Sequence, residues 1–200
     1  MAKNSQIRAQ ARNLLGNKLL SANWLLAVAM LLLVSAALAL PATTGIGALI
    51  SLVICGPAAI GLAAISLGMV RDCEKPNFQY LIWGFKKEQW LRSFLIGLLN
   101  YVLVALWSIL FVIPGIVKMY AYSAAYYVAL DDDSKKMSAM DCLRQSEKLM
   151  KGHKWQLFML DLSFIGWYIL GAMAFYVGAF FVIPYHMTAR AAFYDKIVRG

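Results

Sequence analysis

Three charged side chains lie within long apolar stretches of the sequence: Lys118, Asp161 and Arg190. An ionised group is costly in an apolar environment, so each is a candidate functional residue, and opposite charges are expected to pair. Counted from the ends of their helices at about 1.5 Å per residue, Asp161 and Arg190 lie at similar depths, roughly 9 and 12 Å. We therefore predict a contact between Asp161 and Arg190, either direct or through water.

Histidine and tyrosine side chains accompany two of these charges at helical spacing, and residues four positions apart share one helix face. Two such stripes are present: Lys118, Tyr122 and Tyr126, and His186, Arg190 and Tyr194. Together with Asp161 they predict one polar cleft, which favours an anionic ligand such as a lipid headgroup or a peptide carboxylate. Alternatively, Lys118 extends to the outer membrane surface, and the tyrosines form an interfacial belt or satisfied core groups.

Cysteine and histidine usage points away from metal and redox chemistry. The three cysteines, Cys55, Cys73 and Cys142, show no CxxC spacing, and we expect reduced, structural thiols. His153 and His186 belong to opposite ends of one predicted helix, so no metal centre is predicted. The sequence also lacks a Walker loop, a dinucleotide fingerprint and a nucleophile with its base. We predict a protein that is not an enzyme and that needs no cofactor.

The composition places these residues in a membrane. Of 200 residues, 62% are apolar and 14% are charged, and the mean hydropathy is +0.65, outside the range of ordinary soluble domains. Long continuous apolar runs favour helices over a closed barrel. The sequence therefore predicts an all-α membrane bundle that forms one domain over residues 1–200.

About 20 apolar residues are needed to cross roughly 30 Å of hydrocarbon, and six segments are candidate spans. They are residues 24–40, 46–70, 93–113, 116–130, 155–182 and 185–198, of which the fourth and sixth are shorter and more polar. Paired as hairpins, they occupy residues 24–70, 93–130 and 155–200, joined by polar segments 71–92 and 131–154.

The positive charge is distributed unevenly along the chain, whose net charge is +9. Every lysine and arginine except Lys118 falls within residues 1–23, 71–92, 131–154 or 190–200, and the intervening short connections contain none. Because lysine and arginine accumulate in cytoplasmic loops, both termini and both larger loops are predicted to face the cytoplasm. Topology thus accounts for the charge, and nucleic acid is not a predicted partner.

The sequence FVIP occurs at residues 111–114 and again at 181–184. Proline lacks an N–H group and disfavours the helical conformation of the preceding residue. We therefore predict outer hairpin turns at Pro114 with Gly115 and at Pro184. The repetition is either a recurrent turn or a duplicated functional site. Pro57, within the second span, is predicted to kink its helix.

The first 23 residues contain an amphipathic pattern, in which one helical face carries Ile7, Ala11, Leu14 and Leu15 and the cations lie mostly elsewhere. This pattern is typical of an interfacial helix on anionic lipid of the inner leaflet. The alternative is a short cytosolic helix packed on the loops.

A second amphipathic helix is predicted in the loop 131–154. Ser138 can cap a helix that ends near Gly152. Apolar or small residues then recur at helical spacing: Met140, Leu143, Ser146 or Glu147, and Met150. We expect this helix to lie against the inner face, packed on the bundle or on lipid, or else to bind a partner.

Several ordered motifs carry a family resemblance that spans almost the whole chain. They are IRAQARNLLGN, FKKEQW, LWS at 106–108, IPGIVK followed by Tyr120, Tyr122 and Ser123, SEKLMKGHKW, LSFIGW at 162–167, IPY at 183–185 and AAFY at 191–194. With these motifs the sequence resembles the bacterial integral-membrane family catalogued as domain of unknown function 975. The resemblance implies a small multi-span protein of bacterial, largely Gram-positive, cytoplasmic membranes, and it implies no reaction.

Two classes of function follow from these patterns. The favoured one is binding of an anionic inner-leaflet lipid, a small ligand, a membrane partner or a second copy of the chain through the polar cleft. The alternative is a transporter or lipid-translocating protein, which short, proline-started helices bearing charges also suit.

Overall fold

A computed structural model describes residues 4–16, 22–42, 45–71, 78–110, 112–132, 137–173 and 177–199. All regular structure in these ranges is helical, which confirms the predicted all-α class for them. The helices are α1 (Asn4–Leu15), α2 (Ala22–Ala42), α3 (Gly45–Arg71), α4 (Phe78–Trp83), α5 (Lys87–Leu110), α6 (Val112–Tyr122), α7 (Ala125–Asp131), α8 (Ala139–Leu149), α9 (Lys154–Met173) and α10 (Val177–Arg199).

The chain divides into two compact units. The terminal unit comprises Met1–Ala36, Ile65–Phe78 and Trp155–Gly200, and the central unit comprises Ala37–Ala64 and Gln79–Lys154. The predicted hairpin 93–130 lies in the central unit and the hairpin 155–200 in the terminal unit, whereas the hairpin 24–70 is shared between them.

In the terminal unit, α1 packs along α10. Its apolar residues Ile7, Ala11 and Leu15 are buried, and the Tyr185 hydroxyl donates to the carbonyl oxygen of Arg8 over 3.1 Å. The predicted apolar face is therefore confirmed. This face contacts α10 and not the loops of the alternative prediction, and the position of α1 on anionic lipid stays a prediction.

In the central unit, glycines let helix backbones approach closely. A Cβ atom added at Gly56 of α3 would lie 2.5 Å from the carbonyl oxygen of Ser93 in α5, and one at Gly97 would lie 2.9 Å from the Cα of Gly56. Small residues at such contacts favour helix association where hydrophobic driving force is absent.

The predicted capping of α8 is confirmed. The Asp141 N–H donates to the Ser138 hydroxyl oxygen over 3.2 Å, and the Ser138 N–H donates to the Asp141 carboxylate over 3.4 Å. Gly152, with a φ of +87°, follows the helix end. Of the predicted buried face, Leu143, Ser146 and Met150 are buried, whereas Met140 is only half-buried. Cys142 is buried in addition. This face packs on α5, α6 and α7.

The predicted turn at Pro114 and Gly115 is wrong. Both residues lie in the first turn of α6, which begins at Val112, and residue 111 falls outside the described residues. A first-turn proline loses no helical hydrogen bond, so the helix can start before it. Gly115 is instead needed for packing, since any side chain there would collide with Ser108 of α5.

The predicted turn at Pro184 is also wrong, because this proline lies inside α10. The predicted span 155–182 is divided earlier, where α9 ends at Met173 and α10 begins at Val177. As one helix, that run would be roughly 42 Å long, well beyond the hydrocarbon thickness of about 30 Å. A Cβ at Gly178 would lie 2.7 Å from the Cα of Gly171, so small residues allow the two helices to meet there.

Within the described side chains, two segments are long and apolar enough to cross a membrane: Val53–Arg71 and Gln89–Ile109. They fall on the second and third predicted spans. The first segment is mostly buried, and the second lies mostly at the surface. Pro57 lies inside α3, as predicted. The other four predicted spans are not among these two segments and stay predictions.

Candidate functional site

Two helix faces of the terminal unit bring the first group of polar residues together. Asp161, Phe164 and Tyr168 follow one another on α9 at spacings of three and four, and His186 and Arg190 lie four apart on α10. Side chains at these spacings share a face, so each helix presents a continuous stripe. The two stripes meet at the Asp161 carboxylate.

The predicted contact between Asp161 and Arg190 is confirmed, and it is direct. Arg190 Nε donates to Asp161 Oδ1 over 3.0 Å, and Arg190 Nη2 donates to Oδ2, so the pairing is bidentate. The Asp161 side chain is 13% exposed and that of Arg190 is 35% exposed. The carboxylate is thus covered, while part of the guanidinium reaches the surface.

His186 is held between the carboxylate and a tyrosine. Its Nε2 lies 2.7 Å from Asp161 Oδ1, and its Nδ1 lies 2.9 Å from the Tyr168 hydroxyl. A neutral ring protonated at Nε2 satisfies both bonds, because Nε2–H donates to the carboxylate and the Tyr168 O–H donates to Nδ1. The Phe164 ring stacks on the imidazole at a centroid distance of 4.7 Å. We call Asp161, Tyr168, His186 and Arg190 the Asp161 cluster.

Aromatic packing fixes the surroundings of this cluster. The Tyr185 ring meets Phe164 edge-on at 4.9 Å and lies 6.0 Å from the Trp24 ring. The Trp24 Nε1–H donates to the carbonyl oxygen of Phe181 over 2.9 Å. Tyr194, the third member of the predicted α10 stripe, is buried one turn beyond Arg190. Helices α2, α9 and α10 therefore support the imidazole through a series of ring contacts.

Lys118 forms a separate ion pair in the central unit. Its Nζ lies 2.6 Å from Glu147 Oε1 on α8 and 5.5 Å from the ring centroids of Trp107 and Tyr122. A lysine ammonium above aromatic faces gains cation–π attraction. The Lys118 ammonium is therefore bound by α8, and the alternative in which it extends to the outer membrane surface stays a prediction. We call Lys118 with Glu147 the Lys118 pair.

The predicted stripe of Lys118, Tyr122 and Tyr126 is not continuous. The helix is interrupted at Ser123 and Ala124, so Tyr126 belongs to α7. Ser146 of α8 fills this interruption: its hydroxyl donates to the carbonyl oxygen of Ala121 over 2.7 Å and accepts from the N–H of Ala124 over 3.2 Å. Because Ser146 is buried, these bonds satisfy backbone groups that water does not reach.

A family model described as "Protein of unknown function (DUF975)" matches residues 1–121 and 109–199, nearly the whole chain. The chain belongs to this family. No curated protein and no solved structure matches it. The family resemblance predicted from the sequence motifs is thus confirmed. The family description assigns no reaction, so the chemistry of this DUF975 member must be argued from its own residues.

The two predicted stripes of this DUF975 member lie in different units, Lys118 in the central unit and Arg190 in the terminal unit. Each cation has a carboxylate partner within its own unit. The single cleft that would combine them stays a prediction. Within the part of the chain that the structure describes, no cluster of three or more metal-binding side chains is present, and Cys55 and Cys142 are free thiols. Cys73 lies outside the described residues.

Sequence reasoning missed several polar contacts in this DUF975 member. Tyr168 lies seven residues after Asp161, a spacing that marks a shared helix face and could have identified it. Glu147 was predicted only as a residue of the helix in loop 131–154. No sequence pattern indicates its contact with Lys118, which lies 29 residues earlier. A further ion pair joins Arg92 Nη2 to Asp132 Oδ2 over 2.7 Å, between segments that sequence reasoning treated as polar loop.

Proposed function

We propose that this DUF975 member is a non-enzymatic, multi-spanning protein of the bacterial cytoplasmic membrane that binds an anionic lipid headgroup at the Asp161 cluster. The observation that carries the proposal is the partial exposure of Arg190, at 35%, beside the covered carboxylate of Asp161. A guanidinium presents several donors in a fixed plane and suits oxyanions such as phosphate. Asp161 holds that plane in position.

Exposed apolar side chains support a membrane location. Soluble proteins rarely expose large apolar patches to water. Large apolar residues are exposed on α5 and α6 of the central unit and on α9 of the terminal unit: Val102, Leu106, Ile109, Ile113, Ile116, Val117, Met119, Leu162, Ile165, Ile169 and Leu170. The proposed arrangement has six spans, with both termini on the cytoplasmic side.

The surroundings of Asp161 favour a lipid over a free anion. Leu162 and Ile165 follow Asp161 on α9, and both are about half exposed, at 45% and 49%. A polar cluster that borders exposed apolar side chains matches an amphiphile, with the headgroup at Arg190 and the acyl chains along α9. A free inorganic anion would gain nothing from the apolar border.

Native mass spectrometry of the protein purified in mild detergent tests this proposal. We expect an anionic phospholipid, such as phosphatidylglycerol, to co-purify with the native chain and to be lost from Arg190→Gln. Arg199→Gln is the matched control, because Arg199 lies on the same helix, is exposed and pairs with Asp195 over 3.0 Å. Equal retention of lipid by both variants would contradict binding at the Asp161 cluster.

A transporter is the second candidate, and the interruption between α6 and α7 is the observation that favours it. Discontinuous helices line the substrate sites of many secondary transporters. Flux of phosphatidylglycerol analogues across proteoliposome membranes separates the two functions. Flux that depends on Lys118 as well as Arg190 favours transport, whereas retained lipid without flux favours binding alone.

A further inference from the structure

We propose that the Asp161 cluster binds its anionic ligand together with one proton, which His186 takes up. This inference rests on the proposed function, since it names how the same site is regulated. It concerns Asp161, Tyr168, His186 and Arg190, whose hydrogen bonds form one continuous chain.

The charge balance of the Asp161 cluster favours uptake of a proton with a monoanion. Asp161 and Arg190 form a bidentate pair, so their charges cancel, and a neutral His186 satisfies both of its hydrogen bonds. A monoanion added to this neutral group would leave one net negative charge in surroundings of low dielectric constant, which is unfavourable. A proton on His186 restores neutrality. Histidine is also the side chain that changes charge between pH 5 and 8.

The hydrogen-bond geometry allows His186 to take up a proton without losing either contact. The acid form of the buffer supplies a proton that binds Nδ1 of His186, which then donates to the Tyr168 oxygen 2.9 Å away instead of accepting from it. The Nε2–H bond to Asp161 is unchanged. The Tyr168 hydroxyl hydrogen turns away from the imidazole and can be donated to the ligand. Proton uptake therefore supplies both a positive charge and a reoriented donor.

The charged and titratable groups around His186 are consistent with one proton. From α9 it faces Asp161 and Tyr168, and from its own helix Arg190 shares the Asp161 carboxylate. Tyr185 reaches the imidazole only through the Phe164 ring, and its hydroxyl bonds to the Arg8 backbone of α1. From α2 the nearest aromatic is the uncharged Trp24, which touches Tyr185. Asp161 is thus the carboxylate that stabilises the protonated imidazole.

Isothermal titration calorimetry tests the inference on the full chain in phosphatidylcholine nanodiscs. The probes are dihexanoyl-phosphatidylglycerol and inorganic phosphate, titrated at about pH 7.5 in two buffers of different ionisation enthalpy. We expect dihexanoyl-phosphatidylglycerol to bind with uptake of up to one proton, and its affinity to fall by up to about tenfold per pH unit on raising the pH, by linkage. Inorganic phosphate distinguishes a free anion from a lipid headgroup.

Two variants test whether His186 is the residue that takes up the proton. His186→Gln cannot take up the proton, so its binding should become independent of pH, with no uptake. His153→Gln removes the other histidine of the sequence. This variant should keep both the pH dependence of binding and the proton uptake. Binding by the native chain without proton uptake, or uptake that persists in His186→Gln, would overturn the inference and leave the proposed function standing. Failure of both probes to bind the native chain would overturn both.

Discussion

The sequence FVIP occurs once in each unit, and the two copies lie differently in their helices. Pro114 is in the first turn of α6, whereas Pro184 is inside α10. The next residue also differs: Gly115 allows close contact with Ser108, and Tyr185 fills space against Phe164. A four-residue motif therefore does not set the turn. The second copy follows the longer apolar run, and that run is divided earlier, where α9 ends at Met173 and α10 begins at Val177.

The cations that follow the two prolines differ in the exposure of their carboxylate partners. Lys118 is bound by Glu147 of a separate polar helix, and the Glu147 side chain is 40% exposed. Arg190 is bound by Asp161, which is 13% exposed and belongs to the neighbouring helix in sequence. Solvent screens the first pair more than the second, so we expect the two pairs to differ in their contribution to stability.

Removal of the two carboxylates gives the largest expected difference. Asp161→Ala leaves Arg190 and His186 without their shared acceptor. A broken buried pair costs about 3–5 kcal/mol, and partial exposure of Arg190 reduces this to roughly 2–3 kcal/mol of unfolding free energy. Glu147→Ala should cost less than about 1 kcal/mol. Denaturant unfolding in micelles, followed by tryptophan fluorescence, measures both.

Double-mutant cycles decide whether these losses belong to the pairs themselves. The coupling energy between Asp161 and Arg190 should exceed that between Lys118 and Glu147 by roughly 1 kcal/mol or more. Equal coupling energies would show that exposure does not separate the two pairs.

Addition of one methyl group at a glycine gives the next largest effect. Gly115→Ala places a Cβ against Ser108 backbone and side-chain atoms, and such overpacking costs about 1–3 kcal/mol. Gly166→Ala is the control in α9, since nothing lies within 4 Å of its added Cβ. That change should stabilise the chain by up to about 1 kcal/mol through helix propensity. Thermal unfolding in micelles compares them, and a stabilised Gly115→Ala would refute the close α5–α6 contact.

The sequence predicted what depends on local patterns. The cap at Ser138, the apolar face of α1 and the meeting of Asp161 with Arg190 all follow from spacing along one or two helices. The turns at Pro114 and Pro184 were wrong, because a proline is compatible with a helix start or interior when other contacts compensate. The partner of Lys118 was beyond sequence reasoning, since it depends on how α8 packs.

Substitution of Ser146 tests whether the interruption between α6 and α7 needs the contact with α8. Ser146→Ala removes the acceptor of the Ala124 N–H and should cost about 1–2 kcal/mol, because a buried donor stays unsatisfied. Ser163→Ala is the control in the terminal unit, since its hydroxyl donates to the carbonyl oxygen of Leu160 within its own helix. That variant should be close to neutral in the same unfolding assay. Comparable losses would mean that the interruption does not need α8.

The cap of α8 gives the smallest effect, and it should depend on pH. The hydrogen bond from the Ser138 hydroxyl lowers the pKa of Asp141. A carboxyl group with a lowered pKa stabilises the folded state at pH values above its unfolded pKa of about 3.9. This contribution is lost as the pH falls through the folded pKa.

Thermal unfolding of the native chain and of Ser138→Ala between about pH 3 and pH 6 measures this contribution. The difference in unfolding temperature should shrink as the pH falls, because protonated Asp141 no longer favours the cap. Asp141→Asn should remove the pH dependence of that difference. Since α8 supplies Glu147, Ser138→Ala should also weaken the coupling of the Lys118 pair, whereas the Asp161 cluster, which has no residue on α8, should keep its coupling energy. Equal weakening of both pairs would show that the two units do not respond separately.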